Sequence, residues 1–107
     1  MRLLADLHTH SVASGHAYST IGELASAASA KGLELIAVTD HGPTLPGAPH
    51  LWYFGNMKVL PSVLGGVRIL KGVEANPVPD TENGIDLPGE LLAQLDFVAV
   101  GLHPTAG

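Results

Sequence analysis

Four short apolar runs, each ending on side chains that bind metals or protons, constrain this sequence more than any other feature. Leu3–Leu7 leads into His8-Thr9-His10, Leu33–Val38 into Thr39-Asp40-His41, Val67–Val73 into Glu74, and Phe97–Leu102 into His103. Each run is too short for a helix and rich in Val, Ile and Leu. That is the pattern of a strand buried on both faces, as in a parallel sheet covered by helices. His8, His41, Glu74 and His103 follow one another at intervals of roughly 30 residues, the length of a βαβ unit.

The segments between the runs supply the helices. Thr20-Ile21-Gly22-Glu23 has the form of a capping box, with Ile21, Leu24, Ala25 and Ala28 recurring on one helical face. Gly32 is placed to end that helix just after Lys31, so a helix over Ile21–Lys31 is expected. A second helix is expected over Met57–Leu64, with Pro61 in its first turn or kinking it, and a third over Pro88–Leu95. Gly42 to Pro49 and Pro77 to Gly84 read as loop and turn. The order β-α-β-α-β-α-β is that of an α/β fold built from parallel βα units, open or closed into a barrel. Phe97–Leu102 has no helix after it to cover it, so the chain is expected to be the N-terminal portion of a longer protein.

In parallel α/β folds the C-terminal strand ends share one face, where chemistry is done. His8, His10, His41, Glu74 and His103 are therefore expected to converge. Imidazole and carboxylate together are ligands for zinc, manganese or iron. His8 and His10, two apart in an extended segment, point the same way. A carboxylate at Glu74 has two oxygens and suits a position between neighbouring cations. Each of these residues taken singly also fits a plain surface or supporting role; their regular placement favours a metal site.

Composition narrows the alternatives. The 107 residues are 46% hydrophobic, which excludes a disordered polar tail. The chain contains no Cys, so disulfides, thiolate metal sites and a Cys nucleophile are excluded. Five scattered basic residues and a net charge of -5 argue against a nucleic-acid footprint. Met1-Arg2-Leu3-Leu4-Ala5-Asp6 is charged too soon for a signal peptide, and no apolar run reaches the ~20 residues of a membrane span. A cytoplasmic chain away from membranes is expected. Neither a P-loop nor a nucleophile elbow is present.

Asp6-Leu7-His8-Thr9-His10-Ser11, Ser14-Gly15-His16-Ala17-Tyr18-Ser19-Thr20, Thr39-Asp40-His41-Gly42-Pro43 and Gly72-Val73-Glu74-Ala75-Asn76 resemble the PHP (polymerase and histidinol phosphatase) superfamily. The His16-to-Thr20 run and Ala48-Pro49-His50-Leu51-Trp52-Tyr53-Phe54 are most similar to its YcdX-like phosphatase branch. The resemblance spans residues 1–107 and implies the N-terminal part of a distorted (β/α)7 barrel. It implies up to three divalent metals, commonly zinc, with manganese or iron as alternatives. By resemblance His8 and His10 bind the first metal, His16 and His41 a second, Glu74 bridges the first and third, and His103 binds the third. Further ligands are expected from beyond Gly107.

The activity implied is hydrolysis of a small phosphorylated substrate by metal-activated water, with this stretch alone nearly inactive. Two other functions stay open: an exonuclease-type module acting on nucleic acid, and a non-catalytic metal-binding module. A stretch with an uncovered last strand is expected to oligomerise or to need a C-terminal half.

Other polar residues read as supporting. Asp6 and Asp40 are either acceptors that fix an imidazole tautomer or solvated strand-end charges. His50 lines a substrate mouth or packs beside Trp52, and Tyr18 is read as packing. Asn76 shares a strand face with Glu74 and is placed to orient it. Asp80, Glu82 and Asp86 read as solvated charges around a turn.

Overall fold

The computed structural model describes residues 5–15 and 17–101. Five strands form one curled, half-barrel sheet: β1 (Ala5–Thr9), β2 (Leu35–Val38), β3 (Val63–Leu64), β4 (Val67–Ala75) and β5 (Phe97–Val100). β1, β2, β4 and β5 run parallel in that order. The short β3 lies antiparallel against the start of β4, on the side away from β2.

The first helix, α1 (Ile21–Ala30), forms for the reasons its sequence suggests. Thr20 Oγ1 accepts from Glu23 N at 3.1 Å, and Glu23 Oε1 accepts from Thr20 N at 2.8 Å. Such a cap contributes ~1 kcal/mol. The exposed Glu23 carboxyl is held below its usual value by the Thr20 backbone N–H. Gly32, at φ 77°, ends the helix in the left-handed region.

The helix expected over Met57–Leu64 is a different structure. α2 lies earlier, at Leu51–Asn56, and a 3-10 turn follows at Met57–Val59. Val63–Leu64 is extended and pairs with β4 through a hairpin closed by Gly65-Gly66. Pro61 is the physical reason: its fixed ring and missing N–H break the helix, and Gly-Gly between apolar residues favours a hairpin. The third helix is also shorter than expected, at Gly89–Leu92 (α3), with Pro88 as its N-cap.

The core lies between α1, α2 and one face of the sheet. Ile36 and Val38 of β2 and Val67, Ile69, Val73 and Ala75 of β4 alternate onto that face against Ala25, Ala28, Phe54, Met57 and Leu87. Burying a side chain such as Phe54 or Ile36 stabilises the fold by ~1.5–3 kcal/mol. The outermost strands are less covered than expected. Leu7 of β1 is 45% exposed, and Val98 and Val100 of β5 are 40% and 57% exposed. Among the described residues β1 and β5 each pair with a single parallel neighbour. Among the described residues no helix is long and apolar enough to cross a membrane.

Candidate metal centre at the strand ends

A bulge in β1 aims the first two histidines. Asp6 pairs with Ile36 and Thr9 with Val38, so β1 takes three steps where β2 takes two. Paired residues on adjacent strands face the same way, so Asp6 and Thr9 both turn towards α1, like Ile36 and Val38. Both indeed line a small cleft with Leu24, Ala28 and Leu33. Without the extra residue, strict alternation would send His8 to the same side as Asp6. With it, His8 and His10 project from the opposite face. Glu74 sits on that face too, one residue out of phase with Val73 and Ala75.

The three side chains meet there. His8 Nε2 lies 2.5 Å and His10 Nε2 3.1 Å from Glu74 Oε1, and the two Nε2 atoms are 2.9 Å apart. His8 is mostly exposed, while Glu74 is buried. His41, also buried, adds its ring: it stacks on His10 at 4.4 Å between centroids, and its Nδ1 is 3.7 Å from Glu74 Oε2. Burial holds His10 below the usual imidazole value, partly opposed by the Glu74 carboxylate.

The backbone fixes His41 beside Glu74. Glu74 N donates to Asp40 O and Gly42 N donates to Glu74 O, each at 2.9 Å, which continues the β2–β4 ladder past the end of β2. Asp40 is fully buried. Its carboxylate accepts from Ser11 N at 2.6 Å, Ser11 Oγ at 2.7 Å, Ser14 Oγ at 2.7 Å and Tyr53 Oη at 2.5 Å. Burial, reinforced by Asp40, pushes the Tyr53 phenol well above its ordinary value. Ser14 Oγ in turn contacts His10 Nδ1 at 3.3 Å and accepts from His41 N at 3.1 Å.

Several side chains stand in places the sequence did not disclose. Asp6 accepts from the His8 backbone N–H at 3.0 Å rather than from an imidazole. His50 packs beside Trp52, as one of its two readings had it, with its ring edge-on; unforeseen is its role as the cap of α2, its Nδ1 accepting from Trp52 N at 3.1 Å. Tyr18 is 90% exposed and therefore unpacked, since the loop before α1 turns it to solvent. Asn76 donates to Gly42 O and Asp86, not to Glu74.

Asp86 is not a solvated charge: it accepts from Thr44 N, Thr44 Oγ1, Asn76 N and Asn76 Nδ2 at 2.8–3.0 Å. It thereby ties the loop after β2 to the segment after β4. Sequence reasoning also passed over Ser11, Ser14 and Tyr53. Serines within a quoted motif signal polar need but not their partners, and a Tyr beside a Phe reads as core. His16 and His103 lie outside the described residues.

The donor set suits a hard or borderline divalent cation. His8, His10 and Glu74 each offer one ligand atom, all within 4.8 Å of one another. A groove of about 620 Å³ between α2 and α3 is separate from this cluster, and no His, Asp or Glu lines it among the described residues.

A parallel α/β sheet with a His/Glu cluster at its C-terminal strand ends defines a class of proteins that place a metal-binding centre on that face. The chain belongs to the PHP domain family, whose model matches residues 6–99. It is 57% identical over 103 residues to a probable phosphatase of Acetivibrio thermocellus. It is 59% identical over 103 residues to a probable phosphatase of a Thermoanaerobacter species and 53% identical to one of Photobacterium profundum. Each match covers 96% of this chain and 42% of the relative, so the chain spans about two fifths of the length of these curated relatives.

Proposed function

We propose that the chain supplies the first part of a metal-dependent phosphatase that hydrolyses a small phosphorylated substrate. The observation that carries this reading is the convergence of His8, His10 and Glu74 on one point, in a chain whose relatives are named probable phosphatases. His8, His10 and Glu74 would hold one divalent ion, and His41, beside them, would serve a neighbouring one. His16 and His103 complete the set by their place in the family motifs, and zinc is the metal proposed. When bound, such ions supply Lewis acidity, charge stabilisation at phosphorus and activation of water.

The chain's own residues orient the ligands. Glu74 offers its two oxygens in two directions, towards His8 and His10 on one side and towards His41 on the other. The Asp40 network holds the loop carrying His10 against the loop carrying His41. The Glu74 carboxylate would neutralise part of the charge of the cations it helps to hold, and the positive charge that remains would attract a phosphate.

The test is a phosphatase assay with Zn2+ or Mn2+ on the chain alone and on a protein extended to the length of the relatives. Turnover by the extended protein and at most a trace from the chain alone is expected, because ions lacking ligands are neither held nor aimed. Absence of metal-stimulated turnover in the extended protein would overturn the reading.

A further inference from the structure

We propose that Asn83 is a site of spontaneous covalent modification, at which the backbone nitrogen of Gly84 displaces the side-chain amide and leaves aspartate and isoaspartate in the turn after β4. The proposal stands on the turn alone and is independent of the metal-site reading. An asparagine reacts in this way where the next residue has an N–H to lose, where that residue's side chain does not crowd the ring that forms, and where water reaches both.

The chain's asparagines are Asn56, Asn76 and Asn83. Asn76 is fully buried and precedes Pro77, which has no N–H. Asn56 precedes Met57, whose side chain is buried in the core; both have helical backbone, so a ring between them would displace a core side chain. Asn83 is exposed, and a hollow of about 290 Å³ opens beside it. Gly84, at φ 73°, has no side chain, and beyond its chain neighbours no atom lies within 4 Å of where a Cβ would stand. The Gly84 N–H donates to Thr81 O at 3.2 Å, the long end of the range, and this is the bond that opens before reaction.

Base takes the Gly84 N–H proton, and the nitrogen attacks Asn83 Cγ. The N–Cγ bond forms, the Cγ–Nδ2 bond breaks, and Nδ2 leaves as ammonia with a proton from water. Water then opens the succinimide. Cleavage between Gly84 N and Cγ gives aspartate; cleavage between Gly84 N and the backbone carbonyl carbon of residue 83 gives isoaspartate, with the chain running through Cβ. Nothing is oxidised or reduced, and attack within one chain needs no second molecule in place. Asn83 Nδ2 donates to Leu87 O at 3.2 Å, a bond that neither ionised product can make. Isoaspartate also adds a backbone carbon inside the turn that Val78 N closes on Gly84 O at 2.8 Å and Thr81 Oγ1 closes on Ile85 O at 3.0 Å. Asp86, which ties this segment to Thr44, follows at once.

The experiment incubates the folded full chain at mildly alkaline pH, beside the same chain in concentrated urea, and follows the asparagines by peptide mass spectrometry. In the folded chain Asn83 should gain about 1 Da roughly tenfold or more faster than Asn56 or Asn76, with aspartate and isoaspartate peptides both present. Asn83→Gln, whose ring would be larger, should lose the gain at that position. Asn83 unchanged in the folded chain overturns the proposal; reaction in urea alone would show that the turn protects it. Aspartate without isoaspartate overturns it too, since direct hydrolysis of the amide makes no isoaspartate. The isoaspartate fraction should also unfold at a lower urea midpoint than Asn83→Asp, which carries the charge without the added carbon. Equal midpoints would overturn the effect assigned to the turn.

Discussion

Glu74 is the carboxylate that three imidazoles surround, and its burial makes its chemistry consequential. A neutral amide at this position keeps the shape but offers cations one oxygen instead of two, with no charge. Asp40, two residues before Gly42, is equally buried but faces protons rather than the cluster. In Asp40→Asn the amide oxygen can stay on the Ser11 N–H and the Ser14 hydroxyl, and no oxygen is removed from the His8–His10–Glu74 cluster. Glu74→Gln is therefore expected to lower divalent metal content far more than Asp40→Asn, measured by elemental analysis after purification without chelator. Equal losses in the two variants would remove Glu74 from a bridging role.

The elements matter through the loops they hold together. The loop after β2 carries Asp40 and His41, and the segment after β4 follows Glu74; Asp86 joins the two. Gly42 is the residue that permits it. A Cβ built there would stand 2.4 Å from Asp86 Oδ1 and 2.5 Å from Oδ2, far inside contact distance. Gly42→Ala should push the carboxylate off Thr44 and Asn76 and destabilise the protein by ~1–3 kcal/mol, read as a lower urea midpoint. Because both changes break the same tie, Gly42→Ala should add little in an Asp86→Ala background. Additive losses would show that Gly42 acts by another route. The bulge in β1 works at the same scale: one extra residue decides which side of the sheet receives His8 and His10.

For the molecule as a whole, the sheet has covered and uncovered parts. α1 and α2 bury β2 and β4, while among the described residues β1 and β5 keep an open edge each and expose Leu7, Val98 and Val100. Open parallel edges with apolar side chains invite pairing. We expect the 107-residue chain by itself to form oligomers or to associate with added C-terminal sequence, followed by light scattering across a concentration series. A stable monomer at high concentration would show that the edges are adequately protected as they stand.

The parallel α/β class, the capped helix expected over Ile21–Lys31 and found at Ile21–Ala30, and the gathering of His8, His10, His41 and Glu74 on one face were legible in the sequence. They depend on local patterns: an apolar run, a capping box, a polar residue returning with each βα unit. The helix at Leu51–Asn56 and the hairpin after it were misjudged, because short apolar segments take their form from what they pack on. The polar support was less legible still. Asp86 looked like a loop charge, and Ser14 and Tyr53 stood in motifs that gave them no partner. Their roles depend on partners 10 to 42 residues away, such as Asn76, Asp40 and Thr44. Which residues are candidates to bind a metal was thus suggested by residue type and spacing and, for His16, by the family resemblance. How those residues are turned and which loop keeps each in place was decided only in the tertiary structure, because a buried hydrogen bond is satisfied by whatever the fold brings within reach, not by what lies next in the chain.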